Sequence, residues 1–251
     1  MSFLRGIPVA FSMYTKVPVN MKEFKDGDLK RGFMFYPLTG ILMGGACFLM
    51  YLLSEHFALP IFFTAAIMFL LPLILTGGLH TDGFMDVSDA VGCWKDREEK
   101  LKILKDPHIG AFSVIAIIRH CVFYFAFIYL WLDKATQNDM YIFSLIFVLS
   151  RAVCGISCIA LKLAKQEGFL YEETQGDKKG LWISFIVFAS ITIGLMLYID
   201  IIKTVAIVLI LVLFFIYYRY FSYRHFGGIT GDTAGWFLTI SEGLALVSVF
   251  F

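Results

Sequence analysis

The 251-residue chain is 59% hydrophobic and 17% aromatic, and only 16% of its residues are charged. Ordinary soluble domains carry about 25% charged residues, so this composition excludes a typical soluble globule and predicts an integral membrane protein. The net charge of +1 gives no support for a nucleic-acid partner.

Seven apolar runs predict membrane-spanning helices, because about 20 apolar residues are needed to cross the hydrocarbon core of a bilayer. We therefore expect an all-α, polytopic membrane protein in which residues 1–251 form a single domain, with about seven spans and a re-entrant or interfacial acidic segment after the second run. The earlier apolar stretch Gly6–Tyr14 is too short to span and is expected to lie at the membrane interface. Within the first run, Gly40 and Gly44 have the spacing of closely packed membrane helices. The runs are 36–53, 57–75, 111–132, 140–164, 181–199, 203–218 and 233–250.

Lysine and arginine are distributed unequally among the connecting segments. Seventeen of them lie in 1–35, 76–110, 165–180 with Lys162, and 219–232, whereas the alternate loops hold two. By the positive-inside rule the richer segments are cytoplasmic. The sequence thus predicts seven spans in the cell membrane, with the N-terminus and the reactive groups on the cytoplasmic side.

An acidic segment follows the second run. Asp82, Asp86 and Asp89 are separated by four and three residues, which places them within roughly 60° of one helix face. Like charges on one face repel and raise one another's pKa, and a divalent cation with oxygen ligands, best matched by Mg²⁺, relieves that repulsion. A solvated acidic face is the alternative, but the flanking glycines and apolar runs favour the metal site.

Further candidate roles belong to three of the residues that precede Asp82. Gly77 and Gly78 can bring backbone N–H groups close to an oxyanion, and a plain turn explains them equally well. His80 is either a general base or a hydrogen-bonding group at the membrane interface.

The segment Trp94–Asp106 has apolar residues at 101, 103 and 104 and mixed charges elsewhere, which predicts an amphipathic helix whose lysines meet anionic headgroups. Asp106-Pro107 should end this helix. Lys105 and Asp106 then either approach the carboxylate face or only terminate the helix.

Two later features are candidates for binding a phosphate. Burying Arg151 within a span is costly, so it either contacts a phosphate or pairs with Glu242 at a similar depth. The glycine-rich segment Gly227–Asp232 precedes the last run, where a helix N-terminus favours anions. Asp232 is either part of an oxyanion or metal loop or the N-cap of that helix.

Taken in order, these motifs resemble the cobalamin-5′-phosphate synthase family, the adenosylcobinamide-GDP ribazoletransferases, over nearly the full length. Gly77–Gly83 with Asp86 and Asp89 is similar to that family's GGLHLDGxxDxxD signature. The remaining matches are to its opening, its first span, and its KDxxIGAF, SR and GGxTGD motifs: Phe11–Val19, Tyr36–Gly40, Lys105–Phe112, Ser150-Arg151 and Gly227–Asp232.

The resemblance implies the reaction that assembles the nucleotide loop of cobalamin. The 3′-hydroxyl of α-ribazole, or of its 5′-phosphate, attacks the phosphorus next to cobinamide in adenosylcobinamide-GDP, and GMP leaves. It also implies a Mg²⁺ cofactor, because such transfers depend on charge neutralisation. The implied metal ligands are Asp82, Asp86, Asp89 and Asp232.

The resemblance also leads us to predict roles for other side chains. Asp82, Asp89 and His80 are predicted catalytic residues, with Asp89 or His80 accepting the hydroxyl proton. Predicted substrate contacts are Gly77, Gly78, Lys105, Asp106, Arg151, Gly228, Thr230 and Gly231.

Two other classes are alternatives. A CDP-alcohol phosphotransferase has Ala-Arg after its DGxx, whereas Asp82-Gly83 is followed here by Phe84–Val87. A cation transporter would place acidic groups near the bilayer midplane in paired half-repeats, and no repeat is seen. The sequence leaves open whether the chain assembles into a homo-oligomer.

Overall fold

The computed structural model describes residues 3–20, 25, 27–175 and 178–249. Within these ranges the protein is all α-helical, as predicted, and its β-structure is limited to an isolated bridge between Leu163 and Ile229. The helices are α1 (Gly6–Tyr14), α2 (Asp28–Met34), α3 (Tyr36–Phe57), α4 (Ile61–Thr76), α5 (Leu79–Gly92), α6 (Arg97–Ile103), α7 (Ala111–Leu132), α8 (Gln137–Ala160), α9 (Phe169–Thr174), α10 (Lys178–Ile199), α11 (Ile201–Phe226) and α12 (Gly231–Val249).

Five helices in the described part of the chain are long and apolar enough to span a membrane: α3, α7, α8, α10 and α11. Helices α4 and α5 make a sixth candidate only if this pair, bent by 91°, counts as one span. Helix α12 is not among the candidates, because its glycine, serine, threonine and acidic residues lower its mean hydropathy. The membrane character is therefore confirmed, whereas the predicted number of seven spans is not.

Helix α8 is the central helix. Of an apolar 18-residue stretch of α8, 72% is buried inside the protein, whereas the corresponding share for α7 is 17%. Helix α3 packs tightly on α8. A Cβ atom on Gly40 would lie 2.4 Å from Phe147 O, and one on Gly44 would lie 2.2 Å from Ser144 O. The small-residue packing predicted for Gly40 and Gly44 is thus confirmed.

The predicted surface helix is shorter than expected. Helix α6 covers only Arg97–Ile103, because the Asp96 carboxylate accepts a hydrogen bond from Glu99 N at 2.9 Å and fixes its start. The chain leaves the helix before Lys105 and Asp106, so both residues lie in the loop that leads to α7.

Candidate functional site

The acidic segment forms a helix that turns sharply away from α4. Gly77 and Gly78 have φ angles of 64° and 78°, a conformation that glycine adopts without steric cost. The 91° bend follows at this pair, and α5 then carries Asp82, Asp86 and Asp89 beyond the end of α4. The helical arrangement predicted for the three carboxylates is confirmed.

Helix α12 packs directly against α5 and brings Asp232 beside Asp82. A Cβ atom on Gly83 would lie 2.8 Å from Asp232 O, and one on Gly235 would lie 2.9 Å from His80 O. The two backbones can approach this closely because both contact positions lack a side chain. The two glycine- and aspartate-containing motifs, far apart in sequence, therefore meet at one place.

Asp232 is not the N-cap of α12. The Thr230 hydroxyl caps this helix instead, since it accepts a hydrogen bond from Thr233 N at 3.1 Å, and Thr230 N donates in return to Thr233 Oγ1 at 2.8 Å. The carboxylate of Asp232 accepts a long hydrogen bond from Thr230 Oγ1 at 3.4 Å and lines the cavities described below.

The carboxylates influence one another electrostatically. Burial, followed by the charges of Asp82, Asp232 and Asp89, raises the pKa of Asp86 to about 6. Burial also raises the pKa of Asp232, and the charge of Asp82 adds to this effect. Oxygen donors that repel one another suit a hard divalent cation. Within the described ranges, however, no three His, Cys, Asp or Glu residues are arranged to hold a metal ion, so the Mg²⁺ site stays a prediction.

Asp89 has a structural partner of its own. Its Oδ1 accepts a hydrogen bond from Ser113 N at 3.3 Å, at the start of α7. A Cβ atom on Gly110 would lie 1.7 Å from Asp89 Oδ2, so this glycine makes room for the carboxylate. Asp89 thus helps to cap α7, and its predicted roles as metal ligand and proton acceptor remain untested.

Asp82 and Asp232 stand where three cavities meet. Both line a cavity of about 320 Å³, which we call the aromatic cavity. Asp82 also lines an open cavity of about 570 Å³ beside the glycine pair, the glycine cavity. Asp232 also lines a cavity of about 230 Å³, the lysine cavity. A substrate held at these carboxylates can therefore extend in three directions.

The lysine cavity gathers several predicted substrate contacts. Lys105, Thr230 and Gly231 line it, and Lys165, which was not predicted, joins them. Burial and the charge of Lys105 lower the pKa of Lys165. Two ammonium groups beside the start of α12 can attract an anion, and the carboxylates of Glu167 and Asp232 line the same cavity. Lys105 also contacts Glu167 at 3.1 Å, but this pair is exposed and therefore weak.

The glycine cavity adds another residue that was not predicted to belong to the site. Gly77 and Gly78 line it together with Lys16, whose side chain covers Gly77 so closely that a Cβ atom there would lie 2.1 Å from Lys16 Cε. Lys16 belongs to the motif that opens the chain, so a signal for it was present in the sequence.

Two predicted contacts have other evident partners. The Asp106 carboxylate is exposed and accepts hydrogen bonds from the backbone N and ring Nδ1 of His108 at 3.0 and 2.7 Å. Asp106 lies beyond the last residue of α6, so its predicted contact with substrate stays a prediction. Gly228 packs against the neighbouring loop, where a Cβ atom would lie 2.5 Å from Lys162 O. Neither residue lines the three cavities.

Arg151 forms a buried ion pair. Its Nη1 donates to Glu242 Oε1 at 2.7 Å and to Phe147 O at 2.9 Å, and its side chain is 1% exposed. With His80 it borders a cavity of only about 50 Å³. The structural alternative for Arg151 is thereby realised, and a direct contact with substrate remains only a prediction.

His80 lies at the beginning of α5, with its Nε2 3.3 Å from Tyr36 Oη. Burial, followed by the charge of Arg151, lowers the pKa of His80 to about 3. A group with this pKa is neutral at physiological pH and a weak proton acceptor.

The aromatic cavity contains a buried pair that sequence patterns did not reveal. The Tyr14 hydroxyl donates a hydrogen bond to Glu173 Oε1, although the two residues lie on α1 and α9. Burial raises the pKa of Glu173 to about 8, against the opposing effect of this hydrogen bond. In the sequence, Glu172-Glu173 reads as an ordinary solvated charge pair, so no local signal pointed to it.

The comparisons with known proteins agree with this arrangement of motifs. The model of the family described as cobalamin-5-phosphate synthase matches residues 6–250. A protein of Lachnoclostridium phytofermentans named adenosylcobinamide-GDP ribazoletransferase is 36% identical over 98% of this chain and 95% of its own. Proteins of the same name from Clostridium botulinum and Acinetobacter baumannii are each 32% identical, over 98% and 93% of this chain and 97% and 92% of theirs. No solved structure matches. The chain belongs to the cobalamin-5-phosphate synthase family.

Proposed function

We propose that this chain is a Mg²⁺-dependent adenosylcobinamide-GDP ribazoletransferase of the cell membrane, with its active site on the cytoplasmic side. The family membership gives the step, which is the assembly of the nucleotide loop of cobalamin. One observation carries the location of the site: the acidic motif and the glycine-rich motif place Asp82 and Asp232 together where three cavities meet. Such a junction can hold two substrates and a leaving group at the same carboxylates.

The reaction exchanges one phosphorus–oxygen bond for another. The 3′-oxygen of α-ribazole, or of its 5′-phosphate, bonds to the phosphorus attached to cobinamide, and the bond from that phosphorus to the bridging oxygen of the diphosphate breaks. GMP departs with the bridging oxygen, and the hydroxyl proton passes to a base. The product is adenosylcobalamin or its 5′-phosphate.

The carboxylates fit a divalent cation by their chemistry, since Asp82, Asp86 and Asp232 supply oxygen donors and oppose one another's ionisation. When bound, Mg²⁺ supplies neutralisation of the negative charge on the diphosphate. Asp82 is exposed at the junction and is our candidate for accepting the hydroxyl proton. Asp89 is engaged with Ser113, and the low pKa of His80 makes it a weak base.

The lysine cavity suits the leaving phosphate. Lys105 and Lys165 provide positive charge, and the first turn of α12 provides N–H groups at Gly231. Charge that develops on the departing GMP would be stabilised here, on the side of Asp232 away from the aromatic cavity.

The orientation in the membrane is supported by where the cationic residues meet. Lys16, Lys105 and Lys165 come from three different segments that the positive-inside rule places in the cytoplasm. All three line cavities at Asp82 or Asp232. We propose accordingly that the exposed apolar helices face the lipid bilayer and that substrates reach the site from the cytoplasm.

The proposal is tested with purified protein in lipid nanodiscs, adenosylcobinamide-GDP, α-ribazole or its 5′-phosphate, and Mg²⁺. We expect GMP and the cobalamin product in equal amounts, with activity lost on chelation of the metal and in Asp82→Asn or Asp232→Asn. Release of CMP from a CDP-alcohol, with no GMP from the corrinoid substrate, would instead support the phosphotransferase alternative. Full activity in the presence of chelator would refute the role of Mg²⁺.

A further inference from the structure

The aromatic cavity has the size and lining of a site for a flat apolar ligand. Its volume of about 320 Å³ lies at the small end of the range for small-molecule pockets, about 300–1,000 Å³. Tyr14 and Tyr36 have ring centroids 4.5 Å apart, and Phe33 stacks on Tyr36 at 6.1 Å. Phe169, which is 52% exposed, completes the aromatic lining. Aromatic rings that line a cavity favour contact with another planar ring, stacked or edge-on.

The inner wall of this cavity offers a single buried carboxyl group. Glu173 is 3% exposed and Tyr14 is 7% exposed. A charged carboxylate in such surroundings would be costly, and burial raises the pKa of Glu173 to about 8, which keeps the group neutral at physiological pH. A neutral carboxyl group has one O–H to donate. Its Oε1 accepts from Tyr14, so the donor can serve a ligand.

We propose that the aromatic cavity binds the heteroaromatic base of the ribazole acceptor, and that Glu173, positioned by Tyr14, donates a hydrogen bond to the unprotonated ring nitrogen of that base. This inference rests on the proposed function. The ribose then extends from the inner cavity towards Asp82 and Asp232, where its hydroxyl meets the diphosphate.

The chemistry of the cavity distinguishes this occupant from the other parts of the substrates. A benzimidazole nucleoside has a flat apolar double ring with one ring nitrogen that can accept a hydrogen bond, which matches the Glu173 carboxyl group beside the rings of Tyr14 and Phe169. Guanine has several polar edge groups, which fit a mainly apolar cavity less well than a benzimidazole ring does. The corrin macrocycle is far larger than a small-molecule pocket of this volume.

The test compares Glu173→Leu with Glu173→Gln, using Glu172→Leu on the exposed neighbour as the matched control. For each protein the KM values for the donor and for two acceptors are measured: α-ribazole, and an analogue whose base carries C–H in place of the free ring nitrogen. We expect the original protein to prefer α-ribazole by about tenfold, the effect of one hydrogen bond to a buried group. Glu173→Gln retains a donor and should keep this preference, whereas Glu173→Leu should lose it without a change in the KM for the donor.

A second variant keeps the inference testable if Glu173→Leu does not fold. Phe169→Ala removes an exposed ring and should raise the KM for α-ribazole about fivefold or more, because the base would lose its stacking on that ring. An unchanged preference in Glu173→Leu, or an unchanged KM for α-ribazole in Phe169→Ala, would refute the assignment of the cavity. Absence of GMP release by the original protein would contradict the proposed function itself, so the two failures are distinguishable.

Discussion

Replacing Gly83 with alanine perturbs the contact that holds the two aspartate motifs together. The added Cβ atom would lie 2.8 Å from Asp232 O and 2.9 Å from Asp232 Cα, and both are backbone atoms that cannot rotate away. Ordinary van der Waals contact begins at 3.4 Å, so the helices α5 and α12 must separate by about 0.6 Å. Overpacking of this kind costs about 1–3 kcal/mol of stability.

The separation should affect catalysis more than stability. It moves Asp232 relative to Asp82, and misplacement of reacting groups by about 1 Å can lower a rate by about 100-fold. We therefore expect kcat, measured as GMP release in nanodiscs, to fall about 10- to 100-fold in Gly83→Ala. Thermal unfolding of the same samples should show a helical protein with a lowered Tm.

The matched control is Gly45→Ala, because a Cβ atom on Gly45 meets no other atom within 4 Å. Alanine is the better helix former, so this variant should be as stable as the original protein or slightly more stable, with unchanged kcat. Full activity in Gly83→Ala would show that the close approach of α5 and α12 does not set the geometry of the site.

Three further predictions concern the ionisable groups. Activity should fall as the pH drops through about 6, because Asp86 then gains a proton and cannot serve as a metal ligand. In Asp86→Asn the apparent KM for Mg²⁺ should rise. An unchanged dependence of the rate on Mg²⁺ concentration in this variant would contradict the metal assignment. The folded-state pKa of Glu173 is raised from 4.5 to about 8. Its protonated form therefore contributes at most about 5 kcal/mol of stability, which is complete below pH 4.5 and is lost as the pH rises through about 8. We expect Tm to fall over this pH range, and Glu173→Gln should make that fall smaller. Arg151→Met should destabilise the protein by roughly 3–5 kcal/mol, because Glu242 is left unpaired. The double variant Arg151→Met with Glu242→Leu should recover most of this stability and retain kcat. A double variant that is stable but inactive would indicate that Arg151 contacts the substrate.

Patterns within one segment were predictable from the sequence. The periodic spacing of Asp82, Asp86 and Asp89 predicted one helix face, and the spacing of Gly40 and Gly44 predicted close packing. Both follow from the geometry of a single helix, which local sequence determines. The corner at Gly77 and Gly78 also has a local cause, namely the positive φ angles that glycine permits.

Features that depend on distant partners were not predictable in the same way. Glu173 appears solvated in the sequence and is buried only because α9 packs against α2 and α8, where Tyr14 of α1 reaches it. Similarly, the two alternatives for Arg151 could be separated only by the position of Glu242, 91 residues away. Asp89 is another example, since its partner Ser113 belongs to a different helix.

In helix α12, residues that build the site lower the mean hydropathy that a membrane span needs. Its sequence was predicted as a seventh span, yet the residues that lower its hydropathy include those that build the site. Gly235 allows contact with α5, Asp232 faces the junction of the cavities, and Glu242 neutralises Arg151. A more apolar α12 would be a better membrane span, but it would separate the two motifs and leave a buried arginine unpaired. The composition of α12 is therefore explained by its place as a wall of the site rather than by contact with lipid.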